Sequence, residues 1–325
     1  MSRFSDQFGV PVTPSLILRN NSVPDSARTV EATIGFRDLL AAAIVPLGRS
    51  RALSRGRAYP FDMMFSDYFS LYPWMTDPSD EHFTMQTSAL LAEHDVSEFQ
   101  GQTHPSLSVH NIEERDVDEV ILEALVESWN RRFCLTEPST RDVILFRSLT
   151  LAYSAMRQPT DTTAPTLYDV GRTIVDWVSA FEILAHQGNR QRGLPLVYTM
   201  LQAISWRPER IRHRRYRARR TNAQDRVHRN LACKLYGELY GLRNNFAHGN
   251  PVQVSHLLYG RTTQRIDFLA TPIYREAIAN HIGMTLQRRR ALLENTRRYG
   301  NDRIFDHAIL SAVPPRSRFT PGRRR

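Results

Sequence analysis

Apolar residues recur at helical spacing over much of this chain, most clearly between Tyr168 and His186, where Val170, Ile174, Trp177, Val178, Phe181 and Leu184 form one stripe. Asp169, Arg172, Asp176 and Ser179 lie off that stripe, which predicts an amphipathic helix. A second long helix is expected from near Asp225, with Val227, Leu231, Leu235, Leu239, Leu242 and Phe246 at steps of three or four. It should stop at Gly249-Asn250-Pro251, because glycine suits the left-handed residue after a helix and proline cannot extend one. Upstream, Asp116–Phe133 and a segment capped by Ser139 or Thr140 and running to Met156 read as two further helices. Val30–Val45 reads as helical and broken at Pro46, Leu194–Ser205 as a shorter helix, and Thr271-Pro272 as the cap and first turn of a last helix reaching Leu293.

The intervening segments are of different kinds. Residues 1–30 are loop-like, with Leu16–Leu18 as one short strand candidate. Arg49–Pro78 is aromatic and irregular, and its Tyr59, Phe61, Phe65, Tyr68, Phe69, Tyr72 and Trp74 read first as core residues. Prolines and threonines in Gln158–Thr166 oppose helix continuation. The expected protein is therefore mainly α. A mostly helical N-terminal domain spans 1–157, a linker 158–167, a second helical domain 168–298 with an Arg-rich insertion at 206–230, and a basic tail 299–325.

Charge sharpens this division. Residues 1–160 hold 14 arginines against 21 Asp or Glu, a net of −7, whereas residues 161–325 hold 29 basic against 12 acidic groups, a net of +17. A polyanion would meet the second half. Every basic residue except Lys234 is arginine, and Lys234 follows Cys233 without a glycine loop, which excludes a Walker A nucleotide site. Two cysteines, Cys134 and Cys233, 99 positions apart, make neither a disulfide framework nor a zinc site by themselves. No apolar run approaches the roughly 20 residues of a membrane helix. The polar start, Met1–Val10, lacks a secretory signal core, so a cytoplasmic protein is expected.

The chemistry-bearing constellation ends the Asp225 helix: Leu239-Tyr240-Gly241-Leu242-Arg243-Asn244-Asn245-Phe246-Ala247-His248-Gly249. With 11 histidines in so arginine-rich a chain, chance supplies roughly four Arg-to-His pairs of comparable spacing, so context carries the signal. Here the pair closes a long amphipathic helix, with Asn244 after the arginine and glycine after the histidine. Histidine, with an ordinary pKa of about 6.5, can take the proton of a ribose 2′-hydroxyl. Arginine stays charged and can fork onto phosphate oxygens. On a regular helix, positions five apart are turned by about 140°. Arg243 and His248 therefore converge only if the helix end unwinds or if two chains contribute.

This arrangement resembles the HEPN superfamily (higher eukaryotes and prokaryotes nucleotide-binding), whose mark is an Arg-Asn-x-x-x-His type motif near the end of its second long helix. The pattern from Leu235-Tyr236 through Leu239-Tyr240-Gly241-Leu242-Arg243 to His248-Gly249 is most similar to the Apea-like HEPN group, as is Leu145-Phe146-Arg147-Ser148-Leu149 to Ala155. The resemblance covers residues 168–295 and departs from the family chiefly in the Arg-rich insertion. It implies a HEPN-like helical bundle and metal-independent RNA cleavage, without a cofactor, at a site shared by two protomers. Arg243, Asn244 and His248 would be catalytic, with Glu182 supporting Arg243. The products would carry 2′,3′-cyclic phosphate and 5′-hydroxyl ends. Within the insertion, Arg212, Arg214, Arg215, Arg217, Arg219 and Arg220 are the candidate RNA contacts, with Tyr216 available for stacking.

Three function classes follow. The first is an endoribonuclease acting as a toxin or antiphage defence effector, with the acidic half as sensor or inhibitor and with a possible antitoxin partner. The second is a non-catalytic RNA-binding or assembly module of the same fold. The third is a structural partner in a larger complex, meeting it through Tyr59–Trp74. A hydrolase elbow, a His-Glu-x-x-His site, a dinucleotide fingerprint and an acidic calcium loop are all absent from the sequence.

Overall fold

A computed structural model describes residues 24–27, 29–55, 74–76, 82–86, 91–95, 113–157, 166–186, 193–225, 228–260, 264–293 and 300–313. The fold is mainly α. Helix α1 (Val30–Ser54) begins at Thr29, whose hydroxyl accepts from Ala32 N at 3.1 Å, and it runs straight past the expected break at Pro46. Ala41 through Ser50 are all buried, because α1 packs against four other helices: α2 (Glu119–Phe133), α3 (Thr140–Met156), α8 (Ile266–His281) and α10 (Gly300–Ser311). Burying apolar side chains at about 1.5–3 kcal/mol each outweighs the roughly 3 kcal/mol that an internal proline costs. Surrounded on all sides over Ala41–Ser50, this stretch of α1 has no polar face to display.

α3 lies along α4 (Leu167–Ala185), where Ser148 Oγ donates to Ala180 O at 2.7 Å and Ser154 Oγ to Asp176 at 2.7 Å. α4 in turn meets α5 (Leu194–Gln202), α7 (Leu231–Ala247) and α8. Trp177, Phe181, Tyr236 and Tyr274 stack edge to face between these helices. Residues on both sides of 158–167 thus share one core. The expected separation into domains at 157/168 is corrected accordingly: the faces of α1 and α3 that would have closed a separate N-terminal core are covered by α4, α8 and α10.

Other expectations are corrected at their edges. Of the expected basic tail, residues 300–311 form α10, with Phe305, Ala308, Ile309 and Ala312 buried at helical spacing; residues 314–325 lie outside the described part. Instead of starting at Thr271-Pro272, α8 begins at Ile266 and contains Pro272, and Gly283, at φ 77°, separates it from α9 (Leu286–Leu293). α7 starts at Leu231, with Asn230 Oδ1 accepting from Cys233 N at 3.0 Å, six residues after the expected start at Asp225. Asp225 instead accepts from Thr221 N at 2.8 Å and pairs with Arg229. The insertion holds a short helix, α6 (Glu209–Arg212), and a two-residue antiparallel pair described below.

The first half also contains strands that helical spacing did not predict: β1 (Trp74–Thr76), β2 (His82–Gln86) and β3 (Leu91–Asp95) form an antiparallel sheet with Trp74 opposite Met85 and Thr84 opposite Glu93. The Leu16–Leu18 strand candidate and Tyr59 to Tyr72 lie outside the described residues.

A buried charge network ties the sequence-distant ends together. Arg275 contacts Asp118 at 2.8 Å and Asp302 at 3.0 Å and pairs with Glu276. Arg289 holds Glu276 at 2.9 Å, and Arg207 reaches Asp306 at 2.7 Å.

Candidate functional site at the end of α7

The last turn of α7 closes with two crossed hydrogen bonds, Asn250 N to Asn245 O at 2.9 Å and Gly249 N to Phe246 O at 3.4 Å. Gly249 takes φ 68°, the left-handed conformation such a closure requires. Helical backbone continues through Ala247, and His248 N donates to Asn244 O at 3.0 Å. The helix therefore does not unwind before His248, and Arg243 and His248 remain about 140° apart within one chain.

Arg243 faces α4. Its guanidinium lies 3.8 Å from Glu182 Oε2, 3.1 Å from the Asn244 side-chain oxygen to which it donates, and 5.6 Å from the centre of the Tyr240 ring. Burial pushes the Glu182 carboxyl above its ordinary pKa, with Arg243 opposing the shift. Arg243 and Glu182 both keep part of their surface in water, at 30% and 25% exposure, so the pair positions a cation without sequestering it. Beneath it, Tyr236 is buried and its hydroxyl has no hydrogen-bond partner among the described residues; burial raises its pKa well above the ordinary value. The α4–α7 approach is set by Gly171, where an added Cβ would come within 2.7 Å of the Phe246 ring.

His248 is exposed, and among the described residues its imidazole has no hydrogen-bond partner. The structure thus brings Arg243, Asn244 and Glu182 together and leaves His248 on another side of the same helix end.

The candidate RNA contacts of the insertion divide. Arg212 is spent locally, donating to Trp206 O at 2.9 Å and Arg207 O at 2.6 Å. Arg220 donates weakly to Ala223 O at 3.5 Å. Arg214 stacks over Tyr216 at 5.1 Å, and Arg215, Arg217 and Arg219 are exposed. Tyr216–Arg217 (β4) pairs with His228–Arg229 (β5), which fixes this run against the bundle. Sequence reasoning missed Tyr240 as a neighbour of Arg243. It also missed Gly237 and Gly241, two glycines one turn apart inside a helix, whose spacing was the available signal.

Among the described residues no cluster of three or more His, Cys, Asp or Glu is arranged to hold a metal ion, and no helix is long and apolar enough to cross a membrane. No protein family, curated protein or solved structure matches the chain.

Proposed function

We propose that this protein is an endoribonuclease that uses His248 and Arg243 to promote attack of a ribose 2′-hydroxyl on the adjacent phosphorus. The observation that carries the reading is the state of the two groups at one helix end: a part-exposed guanidinium steadied by Glu182 and Asn244, and an exposed imidazole bonded to none of the described residues. An imidazole base takes the 2′-hydroxyl proton, the 2′-oxygen bonds to phosphorus, and the 5′-oxygen leaves with a proton from an acid. Arg243 balances the charge on the non-bridging oxygens. The products are a 2′,3′-cyclic phosphate and a 5′-hydroxyl.

One imidazole cannot be base and acid in the same step. The divergence of Arg243 and His248 within one chain points the same way, since a twofold pairing of α7 ends supplies a second histidine and a facing arginine. A homodimer is therefore part of the reading. That same divergence favours a second reading, a non-catalytic RNA-binding module, for a chain that stays monomeric.

The test compares wild type, Arg243→Ala and His248→Ala on labelled RNA in chelator. Cleavage by wild type alone supports the enzyme. If His248→Ala cleaves as fast as wild type, the assignment fails.

A further inference from the structure

Gly237 and Gly241 sit in the interior of α7, where glycine is the poorest helix former after proline. A Cβ at Gly241 would lie 2.6 Å from Arg219 Nη1, and one at Gly237 would lie 2.4 Å from the Tyr198 hydroxyl and 3.3 Å from Arg219 Cβ. The missing side chains therefore open a trough in which Arg219 lies along the helix. Its backbone is pinned there, its carbonyl accepting from Tyr198 Oη at 3.1 Å.

Despite that seat, Arg219 is exposed, and among the described residues no carboxylate pairs with it. Three other arginines held against the bundle are neutralised: Arg229 by Asp225, Arg207 by Asp306, Arg275 by Asp118. Glu238, on the neighbouring face of α7, is engaged by Lys234. A guanidinium held in place with its charge unspent is arranged to meet an anion from outside.

Its position relates it to His248. At 100° per residue, Asn245 and His248 fall within about 40° of Gly241, whereas Arg243 is turned away by about 160°. Within a single chain, Arg219 is thus a cation on the His248 side of α7, about 10 Å up the helix axis, and Lys234, on the same side further up, is engaged by Glu238. We infer that Arg219 binds a backbone phosphate of single-stranded RNA next to the one cleaved, and so sets where along the strand His248 acts. The ligand class rests on the ribonuclease reading above.

The test uses a labelled single-stranded oligonucleotide that is 2′-O-methylated throughout, which binds but has no attacking hydroxyl. Its affinity for the full chain is measured across a salt series. Arg219→Gln is expected to weaken binding about tenfold and to flatten the salt slope by about 0.7, the share of one phosphate contact on a single strand. Gly241→Ala, whose new methyl displaces the guanidinium, is expected to weaken binding several-fold while the melting temperature holds or rises. Arg219→Lys should recover part of the loss. Unchanged affinity and slope in either Arg219→Gln or Gly241→Ala overturns the inference, as does a wild type that does not bind. A wild type that binds this strand but leaves the all-ribose strand intact overturns the ribonuclease reading alone.

Discussion

Replacing Arg275 by methionine takes a cation out of the most buried part of the molecule. Arg275 is 2% exposed and touches Asp118, Glu276 and Asp302. The network holds Arg207, Arg275 and Arg289 against Asp118, Glu276, Asp302 and Asp306, a net of −1 that becomes −2 in the variant. Methionine fills much of the volume, so the loss is mainly electrostatic. Removing one partner of a buried ion pair costs about 3–5 kcal/mol, a large part of the 5–15 kcal/mol by which domains are stable. Urea unfolding followed by circular dichroism should show a lower midpoint at unchanged slope.

The pH dependence has a definite sign. Burial opposes ionisation of Asp302, yet Arg275, Arg289 and Arg207 together hold its carboxyl below the ordinary value. In wild type its contribution is present above the unfolded pKa near 3.8 and is lost as pH falls through the lower folded value. Without Arg275 the folded-state Asp302 carboxyl titrates higher, so the variant's deficit should shrink on acidification from pH about 7 to about 5. A variant within about 1 kcal/mol of wild type, or a deficit that grows in acid, would refute the network's role.

Three further outcomes are expected. Gly249→Ala should cost about 1–2 kcal/mol in thermal or urea unfolding, because φ 68° strains a residue with a Cβ although the site itself is open. Gly171→Ala should destabilise by about 1–3 kcal/mol by driving Phe246 off α4, and RNA cleavage should fall with it because the same turn carries His248. Burial pushes Asp306 up to about 6 with Arg207 opposing, so its protonation stabilises the fold below that pH and the benefit is lost as pH rises through 6. Asp306→Asn should flatten that part of the urea-midpoint profile.

How much was legible in the sequence varies by element. α4 is legible because its apolar stripe is the buried one, so period and burial coincide, and the body of α7 is legible from its apolar steps although its first two turns are buried nearly all round. α1 was cut short at Pro46, since a helix packed on all sides loses the amphipathic signal and tolerates a proline that an isolated helix would not. α10 was overlooked behind its basic surroundings, although Phe305, Ala308, Ile309 and Ala312 have helical spacing. The division into two domains rests on the prolines and threonines of 158–166 and is sharpened by the charge contrast, but neither says which apolar faces meet. At the site, the 140° divergence of Arg243 and His248 followed from helix arithmetic alone. The seat of Arg219 did not, because it depends on a loop folding back over two glycines from outside the helix.

The central claim, that His248 and Arg243 make ribose cut its own backbone, is tested most directly with an oligonucleotide carrying a single ribose in an otherwise deoxyribose strand. Wild type in chelator should cut only 3′ of that ribose and leave a 2′,3′-cyclic phosphate and a 5′-hydroxyl. Cleavage at deoxyribose positions, or products with a 5′-phosphate, would contradict it.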